Sequence, residues 1–196
     1  MSVFRLGLTG SIGMGKSTTA ALFAKEGIPV WDADSTVHRL YAPGGAATQL
    51  VAELCPSALC DEGIDRAVLR DWIASDRTAL QRLEAVVHPL VAADREAFVA
   101  QAKGSIVLFD IPLLFERGTE ADMNATLLVT APSDVQRQRV LSRPGMTEAQ
   151  FALILRRQMP DAEKRARATH IVETLSIDQT RAYVQALIAH LRSHHA

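Results

Sequence analysis

The sequence predicts an α/β fold: a parallel β-sheet flanked by helices, interrupted by a helical insert. Three observations predict it. Short apolar runs at 3–9, 28–31, 105–110 and 125–130 alternate with stretches of helical spacing, the order that builds a parallel sheet from strand–helix–strand units. The runs at 105–110 and 125–130 are apolar almost throughout rather than alternating, as in strands covered on both faces. Between the second and third runs, 35–103 shows helical patterning with no long strand, too much chain for a minimal crossover. It reads as a helical subdomain, about 35–103, inserted in an α/β core of 1–34 and 104–196.

Taken in order, the strand 3–9 leads into a glycine-rich segment and a helix from 18 to 25, with Gly27 as the stop signal. The strand 28–31 delivers Asp32-Ala33-Asp34 at its C-terminal end. Helices follow over 36–41 and 46–54, then over 67–73 with Asp65 as N-cap. Two more span 80–87 and 89–99, Pro89 suiting the first turn of the latter. After the strands at 105–110 and 125–130 come a helix over 133–142 and one through 158, with Thr147 as N-cap and Gln150 completing a capping box. A charged helix over 160–167, a weak strand at 170–173 and an amphipathic helix over 179–192 finish the chain.

The 196 residues suffice for one α/β domain with an insert. A net charge of −1 implies no polyelectrolyte affinity for nucleic acid. No apolar stretch approaches a membrane span, and no signal peptide is evident, so a cytoplasmic protein is expected. Cys55 and Cys60 lack the further ligands that a zinc site requires and read as reduced thiols. His190, His194 and His195 at the other end read as a frayed tail.

Gly10-Ser11-Ile12-Gly13-Met14-Gly15-Lys16-Ser17 matches G-x-x-x-x-G-K-S, preceded by a strand and followed by a helix. In that context the glycines let backbone N–H groups turn toward phosphates, aided by the positive end of the helix. Ser11 to Thr18 are the expected nucleotide contacts. Lys16 would reach the β- and γ-phosphates of a nucleoside triphosphate, and the Ser17 hydroxyl would hold Mg²⁺. Asp110, ending the third strand, has the form of the acid that supports that Mg²⁺.

Alternation along an extended chain puts Asp32 and Asp34 on one side, where a carboxylate could orient an acceptor hydroxyl and take its proton. Arg139 and Arg143, four apart on one predicted helix, could clamp the charge on a transferred phosphoryl group. Arg156, Arg157, Lys164, Arg165 and Arg167 read mostly as surface charge. His88 in isolation reads as a packed or capping residue.

Together these segments resemble the dephospho-coenzyme A kinase family. The resemblance rests on Gly7 to Ser17, Asp32-Ala33-Asp34, Val87-His88-Pro89, Asp110-Ile111-Pro112-Leu113-Leu114-Phe115-Glu116, Arg139, Arg143 and Gln158, in family order over nearly the whole chain. It implies a P-loop kinase core with a helical acceptor-binding region and a small lid, about 139–158. It also implies ATP-dependent phosphorylation of the ribose 3′-hydroxyl of dephospho-CoA, with Asp34 as the base. Lys16 becomes the P-loop lysine, and either Arg139 or Arg143 the lid arginine. Asp32, Asp34, His88, Asp110, Pro112 and Leu113 become acceptor-side residues. Near the last strand the chain departs from the family, reading Ala168-Thr169-His170-Ile171-Val172-Glu173-Thr174-Leu175 on the adenine side. A monomer or weak homo-oligomer is expected, with ATP and dephospho-CoA as its small-molecule partners. A different small-metabolite kinase is the rival within the fold. A GTP-dependent switch is disfavoured because no N-K-x-D tetrapeptide occurs.

Overall fold

The computed structural model describes residues 3–195 of the chain, except for the side chain of His195. It contains two compact units, 3–31 with 102–195, and 32–101. In chain order the elements begin with β1 (Phe4–Thr9), α1 (Lys16–Lys25), β2 (Val30–Asp32), α2 (Ala33–Tyr41), α3 (Thr48–Leu54), β3 (Leu59–Cys60), β4 (Gly63–Ile64), α4 (Arg66–Ser75) and α5 (Ala79–Gln101). They continue with β5 (Ile106–Asp110), β6 (Ala125–Thr130), α6 (Ser133–Leu141), α7 (Glu148–Arg156), α8 (Asp161–Arg167), β7 (His170–Glu173) and α9 (Ile177–His195).

The larger unit is built on a five-stranded sheet of order β2-β5-β1-β6-β7. β1 pairs in parallel with both β5 and β6, and β6 with β7. Every residue of β5 and β6 is buried, as their unbroken apolar runs require. Leu6, Leu8, Leu108 and Leu127 pack with Phe23 of α1 and with Val184, Leu187 and Ile188 of α9. A fully buried side chain such as Phe23 contributes about 1.5–3 kcal/mol of transfer free energy. This topology puts β1 at the centre with neighbours formed later in the chain on either side, and ligands bind at the carboxyl ends of strands at such a switch point. The register pairs Leu8 with Asp110, so the acid ending β5 comes level with the end of β1.

The unit 32–101 has its own core of Leu40, Val51, Ile64, Leu69, Leu83 and Val87. α2 is tied to α5 by Thr36 Oγ1 donating to Asp94 Oδ1 at 3.1 Å and by Arg39 Nη2 reaching both Asp94 oxygens at 3.1 Å. Asp65 caps α4, accepting from the N–H groups of Ala67 and Val68. The β3–β4 hairpin was not legible as strands, since each has two residues. It turns at Asp61 and Glu62; Gly63, the first residue of β4, has φ of +102°, and an added Cβ there would lie 2.1 Å from the Tyr41 carbonyl oxygen. Cys55 is buried, Cys60 is exposed, and both are free.

One expected boundary is wrong. Pro89 does not start a helix: α5 runs for 23 residues straight through it. Proline removes one N–H and crowds the preceding turn, but the apolar face on either side, Leu83, Val87, Leu90 and Val91, carries the helix across.

Candidate active site

The segment between β1 and α1 is a tight loop. Gly13 and Gly15 have φ of +78° and +88°, and a Cβ on Gly10 would lie 2.3 Å from the Val129 side chain. Glycine is therefore obligatory at both kinds of position. Within the loop Met14 N–H donates to Ser11 O at 3.1 Å. Four other residues hold the loop from outside. Ile12 N–H donates to Gln158 Oε1 at 3.1 Å, Gln136 Nε2 donates to Ile12 O at 2.8 Å, and Thr174 Oγ1 donates to Met14 O at 2.8 Å. Arg139 Nη1 lies 3.5 Å from Gly13 O.

Lys16 opens α1, so its backbone N–H is among the helix's unpaired donors. Its Nζ lies 2.5 Å from Asp110 Oδ1, with Asp110 almost fully buried. Ser17 and Thr18 are exposed in the first turn of α1. The Ser17 hydroxyl and the Asp110 carboxylate are hard oxygen donors. They fit Mg²⁺, which keeps waters and phosphate oxygens for its remaining positions. Among the described residues no cluster of three or more His, Cys, Asp or Glu side chains forms an all-protein metal cage; the His190 and His194 rings lie tilted with centroids 4.2 Å apart, and His194 Nδ1 is 2.8 Å from His190 O.

A cleft of about 300 Å³ opens beside the loop, lined by Gly13, Gly15, Arg139, Arg143, Thr174 and Ile177. The two arginines share the cleft but not a helix: α6 ends at Leu141, and Arg143 lies beyond the Ser142 cap. Arg139 is engaged. Besides Gly13 O, it donates to Thr174 Oγ1 at 3.0 Å and to Thr174 O at 2.5 Å. Arg143 is exposed.

The segment after β5 packs inward. Leu114 and Phe115 are buried, Leu113 is half-buried, and Pro112 O accepts from Thr9 Oγ1 at 3.1 Å. Glu116 Oε1 lies 2.8 Å from Lys164 Nζ and accepts from the Met159 N–H at 2.8 Å. Burial pushes the Glu116 carboxyl up, but the Lys164 and Met159 bonds outweigh it and hold its pKa below the ordinary value. Lys164 is fully buried, so its reading as surface charge is corrected; Arg165 and Arg167 remain partly open and pair with Asp161 and Glu120.

In the unit 32–101, Asp32 and Asp34 are not two positions of one strand. α2 begins at Ala33 because the Asp32 side chain accepts the Ser35 N–H at 2.5 Å and caps it. Asp34 is exposed in the helix's first turn. His88 lies in the interior of α5 rather than at a helix start, exposed, with Nε2 3.8 Å from Glu84 Oε1. Sequence reasoning missed Gln136 and Thr174. Neither belongs to a charged or motif residue type, and both are separated from the loop by more than a hundred residues.

A parallel sheet with a phosphate loop after its central strand, a lysine opening the next helix and arginines at the same cleft define a P-loop kinase. The dephospho-CoA kinase family model matches residues 4–179. A dephospho-CoA kinase of Cereibacter sphaeroides is 71% identical over 98% of each chain. Among solved structures, TT1252 from Thermus thermophilus superposes with a TM-score of 0.88 at 35% identity, covering 97% of this chain and 99% of its own. Dephospho-CoA kinase from Campylobacter jejuni shares the fold with a TM-score of 0.66 at 20% identity, covering 97% and 98%. The chain belongs to the dephospho-CoA kinase family.

Proposed function

We propose that this protein transfers the γ-phosphoryl group of ATP to the ribose 3′-hydroxyl of dephospho-CoA, giving CoA and ADP. The observation that carries the chemistry is the glycine loop with Lys16 at its foot, beside the strand-end acid Asp110; family membership supplies the acceptor. The loop N–H groups and Lys16 bind the β- and γ-phosphates. Ser17 and Asp110 would hold Mg²⁺, which would supply neutralisation of phosphate charge. Asp34 accepts the proton of the 3′-hydroxyl as its oxygen bonds to the γ-phosphorus, and the bond from that phosphorus to the β-phosphate oxygen breaks to release ADP.

Of the two arginines, Arg143 is the one proposed to clamp the transferred group, because Arg139 already spends its guanidinium on Thr174 and Gly13. Asp32 sets the start of α2 and so the direction of Asp34. His88 and the segment from Asp110 through Pro112 and Leu113 are assigned to the acceptor side. The helical unit and the stretch about 139–158 take the roles of acceptor-binding subdomain and lid. No helix among the described residues is long and apolar enough to cross a membrane. With net charge −1, the reading is a cytoplasmic enzyme without nucleic-acid partners, monomeric or weakly self-associating.

The test is ADP release with ATP and Mg²⁺ across an acceptor panel of dephospho-CoA, nucleosides and pantetheine compounds. Stimulation by dephospho-CoA alone is expected. Stimulation only by another acceptor would contradict the assignment.

A further inference from the structure

Three consecutive carbonyls of the phosphate loop are held by side chains from elsewhere in the chain: Ile12 O by Gln136, Gly13 O by Arg139 and Met14 O by Thr174. A peptide group is planar and trans, so a carbonyl fixed on one side turns the N–H that follows it to the other. Fixing Ile12 O and Met14 O from outside therefore directs the Gly13 and Gly15 N–H groups toward the inner side of the loop, where an anion is met.

Thr174 does more than its neighbours. It lies in the turn between β7 and α9, where the sequence departs from the family pattern, and its side chain is buried. Its hydroxyl has one proton. Met14 O at 2.8 Å is the better acceptor than Thr130 O at 3.4 Å, which leaves the oxygen's lone pairs for Arg139 Nη1 at 3.0 Å. Its backbone is anchored in turn, N–H to Thr130 O at 2.9 Å and carbonyl to Arg139 Nη2 at 2.5 Å. The side chain also closes off the far side of Gly15, where an added Cβ would lie 2.8 Å from Oγ1. One residue thus joins three elements: its hydroxyl bonds the loop and the arginine of α6, and its backbone N–H the end of β6.

We propose that Thr174 is a positioning residue for nucleotide phosphates, setting the Met14–Gly15 peptide and holding Arg139 against the loop. The proposal rests on reading Gly10 to Ser17 as the phosphate loop, and predicts a loss in nucleotide affinity before any acceptor is present.

The experiment is calorimetric titration of the full chain with Mg-ATP, without acceptor, for the unmodified protein, Thr174→Val, Thr174→Ser and the buried-threonine control Thr126→Val, with Tm measured for each. Losing both hydroxyl bonds in Thr174→Val should weaken ATP binding by about tenfold or more, while Thr174→Ser, which keeps the hydroxyl, stays within about threefold. Thr126→Val, whose hydroxyl bonds to Thr169, should lower Tm without moving ATP affinity. Unchanged affinity in Thr174→Val, equal losses in the Val and Ser variants, or a loss in Thr126→Val matching that of Thr174→Val would overturn the assignment to Thr174. An unmodified chain that binds no ATP would overturn both this proposal and the phosphate-loop reading.

Discussion

Lys16 Nζ and Asp110 Oδ1 stand 2.5 Å apart, joining the first residue of α1 to the last residue of β5. The pair exists because β1 and β5 are neighbours in register, Leu8 beside Asp110, although the two residues are 94 positions apart. With side chains only 16% and 5% exposed, it is a largely desolvated ion pair, and taking away its cation is costly.

Lys16→Met should therefore do two things. Turnover should fall by about a hundredfold or more, the scale for losing one charge-stabilising donor, and Tm should fall because Asp110 loses its cationic partner. Adding Asp110→Asn should restore part of the Tm and none of the turnover. Recovery of activity in the double variant would contradict a role for Lys16 on the phosphates.

Asp34→Asn should retain ATP affinity by titration and lose about two to four orders of magnitude in kcat, as expected for a missing general base. Its exposure in the first turn of α2 makes a large stability effect unexpected. A near-normal kcat would exclude Asp34 as the base.

The two arginines should separate. Arg143→Ala is expected to lower kcat with little change in Tm, since Arg143 is exposed beyond the end of α6. Arg139→Ala should lower Tm and ATP affinity together, because it releases Thr174 and Gly13 O. Thermal melts and steady-state kinetics on both variants check this, and equal kinetic signatures would contradict the division of roles.

Glu116 sets a pH dependence. Its folded carboxyl lies below its ordinary 4.5, so just below that pH the unfolded chain binds more protons than the folded one and stability rises with pH. The contribution is complete above about 4.5 and is lost as pH falls through the folded pKa. Glu116→Gln should be less stable than the unmodified protein at pH 7, and the gap in Tm should narrow below about pH 4.5. A gap independent of pH would show that the charge of Glu116 is not what holds Lys164.

The parts of the fold written in local chemistry were legible in the chain. The apolar runs became β5 and β6, the Thr147–Gln150 capping box closes as expected, and the glycine loop lies between β1 and α1. The segment from Ile111 to Phe115 is apolar throughout, in keeping with the burial of Leu114 and Phe115. Long-range pairing was not legible. Nothing in Thr174 announces that it bonds to Met14, and nothing in the charged run 160–167 distinguishes buried Lys164 from its exposed neighbours. That difference comes from Glu116, some fifty residues earlier, and from the packing of α8. Pro89 shows tertiary packing overriding a local signal, and Asp32 shows a cap moving a helix start by three residues from the expected 36.

The most direct measurement follows the transferred group itself. The purified protein is given ATP labelled in its γ-phosphate, Mg²⁺ and dephospho-CoA, and the products are separated and identified. Label recovered in CoA at the ribose 3′ position, with ADP in equal amount, is the predicted result. Label appearing only as inorganic phosphate, or remaining in ATP, would contradict it.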